Sequence, residues 1–142
     1  MVNKVLIEGK LNLIIGYVNR LKELKSLPSR EFLEDYRNPA TAESYIRRAL
    51  EAVFDIGRHI LAKNRGKDLS LEYKAIARGL VDLGIADEKL GQKLIQMVGY
   101  RNRMVHLYSL VTDEELYDII QNDLDDLLNF VKAVRNYLAK LQ

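Results

Sequence analysis

The side chains best suited to chemistry in this sequence are crowded into residues 99–108, which include Arg101, Asn102, His106 and Tyr108. The chain has two histidines, so few positions can exchange protons readily near neutral pH. Arginine keeps its charge in proteins, and its planar fork donates two parallel hydrogen bonds to a phosphate. The combination therefore predicts chemistry on a phosphate ester.

Cleavage of an RNA phosphodiester would use these side chains in three ways. The 2′-hydroxyl must lose a proton, the leaving 5′-oxygen must gain one, and the charge on the phosphate must be stabilised. His106 suits the proton transfers and Arg101 suits the phosphate, and Asn102 could either orient one of these groups or bind a phosphate oxygen. Because RNA supplies its own nucleophile, this chemistry requires neither a metal ion nor a cofactor.

The spacing of Arg101 and His106 places a condition on the local structure. On an ideal helix, residues five apart point about 140° away from each other, so the two side chains would converge poorly. We expect either that the helix loosens or ends within residues 99–108, or that a second subunit completes the site.

The same stretch resembles the Arg-X4-His-X-Tyr motif of the HepT toxins, which belong to the HEPN superfamily. Arg101, His106 and Tyr108 match its three fixed positions, and Asn102 matches the polar residue that usually follows the arginine. The two residues before the arginine are also similar to the family's pattern. The resemblance covers nearly the whole chain, and it extends more loosely to Asp55–His59 in the family's second long helix.

The resemblance implies a metal-independent ribonuclease that forms a homodimer, with two copies of the motif in one RNA-cleaving cleft. Arg101 and His106 would be catalytic, and Asn102 would support them. The resemblance also implies a partner, an MNT-type nucleotidyltransferase antitoxin, which would attach AMP to Tyr108. A phosphate and an adenosine two residues from the histidine would block the substrate and repel its phosphates.

Other interpretations of these residues stay open at this point. His106 is also explained as a hydrogen-bonded histidine near a helix C-terminus, and Arg101 as a surface ion-pair residue. Tyr108 could simply pack its ring, and Arg103 is expected on the solvated face or against an RNA backbone. The whole chain could then be a non-catalytic nucleotide-binding module that accompanies a nucleotidyltransferase, or an oligomerisation domain.

A second group of charged residues lies earlier in the chain. His59 follows Asp55 by four residues, so the two share a helix face and could orient an imidazole or begin a metal site. No cysteine and no third histidine is present to complete a zinc site of the usual kind. We therefore expect a structural or interfacial role for the pair, and we expect Arg47 and Arg48 to be solvated.

Composition sets the broad class of the protein. With 142 residues, 48% hydrophobic and 30% charged, the chain fits a single globular domain over residues 1–142. The net charge of +2 is small for a protein that coats nucleic acid, but it allows a local RNA site. The chain has no cysteine, no apolar run approaching about 20 residues, and no signal-peptide core. We expect a soluble, cytoplasmic protein.

The elements that must position the motif are helices, since the apolar residues recur three and four positions apart. Three helices are expected before the motif. The first covers about residues 5–25, the second runs from Pro39 to about Lys63, and a short third helix is capped by Ser70 and ends at Gly84. Residues 29–38 read as a connector with a short helical turn, and Asn38 is expected to cap the second helix.

The helix that Asp87 caps reaches at least Gly99, and a capping box of Thr112 and Glu115 begins the last helix. This last helix is expected to be continuous, because its apolar stripe is unbroken from Ile120 to Leu138. The sequence thus predicts an all-α fold, an antiparallel four-helix bundle with one extra short helix. Within it, Gly57 indicates close packing of a neighbouring helix, since a glycine inside a helix costs about 1 kcal/mol.

Overall fold

A computed structural model describes residues 2–65, 72–106 and 111–141 of the chain. These residues form seven α-helices, and the predicted all-α class is confirmed. The helices are α1 (Lys4–Lys25), α2 (Ser29–Glu34), α3 (Arg37–Arg65), α4 (Tyr73–Asp82), α5 (Glu88–Val105), α6 (Asp113–Asn122) and α7 (Leu124–Lys140). None of these helices is long and apolar enough to cross a membrane.

The apolar stripes of the long helices meet in one hydrophobic core. α1 packs along α3 and α7, and α4 packs against α3 and α5. In α1 the apolar residues three and four positions apart are fully buried, and α3, α5 and α7 each bury a similar stripe; the buried residues of α1 are Ile7, Leu11, Ile14, Val18 and Leu21. Burial of these side chains is the main stabilising contribution, at about 25 cal/mol for each Å² removed from water.

Side-chain caps begin three of these helices. Asp87 accepts a hydrogen bond from the backbone N–H of Leu90 at 2.7 Å, as predicted. The predicted capping box of Thr112 and Glu115 is present in both directions. Asn3, which the sequence analysis did not assign, caps α1. Ser70, the expected cap of α4, lies outside the described residues.

The start of α3 differs from the prediction. The helix begins at Arg37, so Pro39 lies in its first turn as expected, but Asn38 is inside the helix and is not its cap. Asp35 accepts the backbone N–H of Arg37 at 3.1 Å instead. The side-chain amide of Asn38 donates to the carbonyl oxygen of Glu31 in α2 at 3.4 Å, because α2 turns back over this end of α3.

The last helix is broken, so the prediction of one continuous helix is wrong. α6 ends at Asn122 and α7 begins at Leu124, with Asp123 between them at φ −116° and ψ −1°. The carboxylate of Asp123 accepts a hydrogen bond from the hydroxyl of Tyr100 at 3.2 Å. Aspartate and asparagine are weak helix formers, and the core is preserved because Ile120 and Leu124 are buried on both sides of the break.

The close packing predicted at Gly57 is confirmed. An ideal Cβ at this position would lie 2.5 Å from Cγ2 of Ile76 and 3.2 Å from Cδ1 of Leu80, both in α4. The absence of a side chain lets α4 approach the α3 backbone. The approach also places the first residue of α4, Tyr73, against Phe54 of α3, with ring centroids 5.1 Å apart and an interplanar angle of 90°.

Candidate functional site

The motif occupies the C-terminal end of α5. The helix was expected to reach at least Gly99, and in the structure α5 continues through Val105. Arg101 and Asn102 therefore lie on the last turns of the helix, and His106 is its C-cap at φ −93° and ψ 111°. The helix ends inside the motif, which is the first of the two arrangements expected from the spacing.

Arg101 continues the buried stripe of α5. Leu94 and Met97 are buried, and Arg101 follows Met97 by four residues, at the place where the next core residue would fall. The guanidinium consequently enters the edge of the core, and its side chain is 19% exposed. A charge in this position must be paired, because burial of an unpaired charge is strongly unfavourable.

Two residues from other helices supply this pairing. Nε of Arg101 donates to Oε1 of Glu51 in α3 at 2.7 Å. Cζ of Arg101 lies 4.1 Å from the ring centroid of Tyr73, in the range of a cation–π contact. The hydroxyl of Tyr73 donates to Oε2 of Glu51 at 3.4 Å, which links the two contacts.

The roles of Glu51 and Tyr73 were not predicted from the sequence, since neither residue belongs to the motif. One signal was available: an arginine at a core position of α5 requires a carboxylate on a facing helix. The spacing along the chain cannot say which carboxylate that is, because the bond to Glu51 spans 50 positions.

Asn102 joins the two ends of the predicted site. Its side-chain oxygen accepts from Nη1 of Arg101 at 3.2 Å, and its carbonyl accepts from the backbone N–H of His106 at 3.0 Å. His106 is exposed, so its imidazole is not sealed in apolar packing. Tyr108, the fourth predicted residue, lies outside the described residues.

Arg103 connects the end of α5 to the start of α6. It was expected on the solvated face or against RNA, but its Nη1 and Nη2 donate to the two carboxylate oxygens of Glu115, at 2.6 and 2.8 Å. The hydrogen bonds from Arg103 lower the pKa of Glu115 from 4.5 to about 2. Because Glu115 also closes the capping box of α6, one carboxylate fixes both helix ends that flank the motif.

Tyr100 attaches the other side of α5 to the break between α6 and α7. Its hydroxyl donates to Asp123 at 3.2 Å and accepts from Nε2 of Gln96 at 3.3 Å. Burial raises the pKa of Asp123, and burial together with the adjacent carboxylate raises the pKa of Tyr100. The Tyr100 hydroxyl is therefore a structural donor that anchors the helix below the motif.

The earlier charged group is separate from the motif. Asp55 pairs with Lys10 at 3.7 Å and with Arg58 at 3.3 Å, whereas Nε2 of His59 accepts the backbone N–H of Asn3 at 3.3 Å. Burial, with a smaller contribution from nearby positive charges, lowers the pKa of His59. These contacts support the expected structural role, in which His59 holds the start of α1 against α3.

A helical bundle with an arginine and a histidine at the end of one helix is the arrangement that the resemblance to HEPN proteins predicts. Comparison with known families gives the particular family: residues 14–134 match the model described as "Ribonuclease HepT-like". The chain therefore belongs to the HepT-like ribonuclease family. The match spans the whole of the motif and most of every long helix.

One curated relative and two solved structures are similar to this chain over most of its length. The chain is 25% identical to the tRNA nuclease HepT of Aphanizomenon flos-aquae over 144 residues, covering 99% of this chain and 95% of the relative. A tri-AMPylated HEPN toxin of Shewanella oneidensis, solved in complex with MNT antitoxin, superposes with a TM-score of 0.83 at 22% identity, covering 94% and 98% of the two chains. The cytosolic protein of unknown function YutE from Bacillus subtilis superposes with a TM-score of 0.80 at 25% identity, covering 96% and 91%.

Proposed function

We propose that this protein is the ribonuclease toxin of a toxin–antitoxin pair, and that Arg101, Asn102 and His106 form its cleavage site. The observation that carries the proposal is the end of α5 inside the motif, which leaves His106 exposed at the C-cap while Arg101 is held in the preceding turns. Membership of the HepT-like family and the nearly full-length similarity to a tRNA nuclease support RNA as the substrate.

The proposed reaction needs only groups that RNA and this chain contain. A base takes the proton of the 2′-hydroxyl, whose oxygen attacks phosphorus, and the bond to the 5′-oxygen breaks. An acid protonates the departing 5′-oxygen, leaving a 2′,3′-cyclic phosphate and a free 5′-hydroxyl. His106 carries out proton transfer, and Arg101 stabilises the charge on the phosphate oxygens. Because the nucleophile belongs to the RNA, the reaction proceeds without a metal ion.

A homodimer would supply two histidines to one cleft. Each chain has one motif histidine, whereas the reaction needs a base and an acid, so we propose that the two subunits share these duties. Mixed dimers that contain one His106→Ala subunit test this division. Full activity in the mixed dimer would show that one subunit provides both functions.

The proposed partner is an MNT-type nucleotidyltransferase antitoxin, which transfers AMP from ATP to the hydroxyl of Tyr108 in the cytoplasm and releases pyrophosphate. The Shewanella oneidensis complex, which contains both an AMPylated toxin and an MNT antitoxin, supports this assignment. We expect the antitoxin and ATP to silence the wild-type nuclease and to leave Tyr108→Phe active. Mass spectrometry of the treated chains identifies the modified residue.

The direct test is incubation of RNA with the purified protein in EDTA. We expect wild-type protein to cut the RNA and His106→Ala to have lost this activity. The matched variant is His59→Gln, which changes the other histidine, a residue of α3 that contacts the start of α1 and lies outside the motif. RNA left intact by the wild-type protein, together with nucleotide binding, would favour the non-catalytic module instead.

A further inference from the structure

Glu51 and Tyr73 lie outside the motif, yet both contact its arginine. We propose that they are positioning residues, which fix the guanidinium plane of Arg101 so that its Nη2 end is presented to the scissile phosphate. This inference rests on the proposed ribonuclease function. It extends the site from one helix to three, because Glu51 belongs to α3 and Tyr73 begins α4.

The first contact fixes one edge of the guanidinium. The 2.7 Å bond from Nε of Arg101 to Glu51 is a charge-assisted hydrogen bond, and the two side chains are 19% and 35% exposed. Salt screens a pair in this setting less than it screens a fully exposed one. By comparison, the ion pair of Glu43 and Arg47 on the same helix has exposures of 37% and 40%, and such surface pairs contribute little.

The second contact fixes the face of the guanidinium. Arg101 lies 4.1 Å from the ring centroid of Tyr73, and Phe54 packs edge-on against that ring. The hydroxyl of Tyr73 donates to the Glu51 oxygen that does not bind Arg101. Carboxylate and ring therefore hold each other as well as Arg101, so the guanidinium is constrained along an edge and across a face.

The remaining end of the guanidinium is left for a ligand. Nε is bonded to Glu51 and Nη1 to Asn102, whereas Nη2 makes no hydrogen bond to any residue in the described part of the chain. An arginine side chain has many rotamers, and a displacement of about 1 Å at a reacting group can lower a rate by about 100-fold. Holding the Arg101 guanidinium in position before the substrate binds therefore favours the transition state.

The test compares RNA cleavage by Glu51→Ala and Glu51→Gln with the wild-type protein. We expect Glu51→Ala to lower kcat by about 10- to 100-fold with a smaller change in KM. Glu51→Gln keeps an acceptor for Nε, so we expect it to retain most of the activity that Glu51→Ala loses. Glu43→Ala removes a carboxylate from the exposed pair on the same helix and should act like the wild-type protein.

Two variants of Tyr73 distinguish the contribution of its ring from that of its hydroxyl. We expect Tyr73→Phe, which keeps the stacking face, to stay within about threefold of the wild-type kcat. Tyr73→Leu, which removes the face, should lose about tenfold or more. Tyr45→Leu is the comparable change at a ring that contacts Tyr17 and not Arg101. Circular dichroism at the assay temperature establishes that each variant is folded.

The outcomes separate this inference from the proposed function. A wild-type protein that does not cut RNA refutes the function itself. A wild-type protein that cuts RNA, with Glu51→Ala folded and equally fast, refutes only the positioning role. A rise in activity for Glu51→Ala or Glu51→Gln also overturns it, because Glu51 would then compete with the phosphate for Arg101. Should Glu51→Ala not fold, the Tyr73→Phe and Tyr73→Leu pair decides the question.

Discussion

Replacement of Gly57 by alanine should destabilise the fold, although alanine is the better helix former. The new Cβ would lie 2.5 Å from Cγ2 of Ile76, an atom fixed directly to the Cβ of a branched side chain, so α4 must move away from α3. Overpacking of this kind typically costs 1–3 kcal/mol, and the higher helix propensity of alanine returns about 1 kcal/mol. We expect a net loss of up to about 2 kcal/mol.

The matched variant is Gly16→Ala. Gly16 lies in the middle of α1, and an added Cβ there would meet nothing within 4 Å among the described residues. The same chemical change should then stabilise the protein by about 0.5–1 kcal/mol. Urea unfolding of both variants gives the two free energies directly. Stabilisation by Gly57→Ala equal to that by Gly16→Ala would refute the close approach of α4.

The displacement of α4 should also affect RNA cleavage. Gly57 faces α4 beside the turn that begins at Tyr73, so its replacement moves the ring that supports Arg101. We expect Gly57→Ala to lower kcat at a temperature where the protein is fully folded, and Gly16→Ala to leave kcat unchanged. A loss of stability with no loss of kcat would show that Arg101 does not depend on the position of α4.

Two further predictions concern ionisable groups. Glu115→Gln keeps the capping box but removes the charge that pairs with Arg103; because both side chains are more than a third exposed, we expect a loss near 1 kcal/mol at pH 7. Because the pKa of Glu115 is lowered, the stability difference between the wild-type protein and Glu115→Gln should shrink as the pH falls from 4.5 towards 2. Calorimetry measures this difference, and Glu114→Gln is the comparison variant. The pKa of His59 is also lowered, so its hydrogen bond with the Asn3 backbone, and the stability that depends on it, should weaken as the pH falls below 6.5. Thermal unfolding measures this loss of stability, which His59→Gln should not show.

The helices could be predicted because their information is local. A spacing of three and four residues placed the buried stripes correctly, and Asp87 and the Thr112 capping box marked two helix starts. The close approach at Gly57 was also predictable, since a glycine inside a helix needs a compensating contact. Each of these features depends on residues within one or two turns of each other.

The features that were missed depend on contacts between distant segments. Asn38 has the side chain of a helix cap, but the carbonyl groups of α2 lie within its reach and bind it instead. Asp123 lies between Ile120 and Leu124 of an unbroken apolar stripe, and the hydroxyl of Tyr100, 23 positions away, is the hydrogen-bond donor to its carboxylate. The sequence shows the apolar stripe and the polar side chain, but it does not show which distant residue forms a hydrogen bond with that side chain.

The same distinction explains why the motif could be found and its supports could not. Residues 101–106 are contiguous, so their chemistry is visible in the sequence. Arg101, however, takes a position of α5 that the apolar pattern reserves for a core residue, and a hydrophobic side chain there would avoid the cost of placing a charge at the edge of the core. A fold that keeps an arginine in such a place, and supplies Glu51 and Tyr73 to hold it, departs from the local rule where a site requires it. The departure from the pattern, and not the pattern itself, is therefore the feature of α5 that points to function.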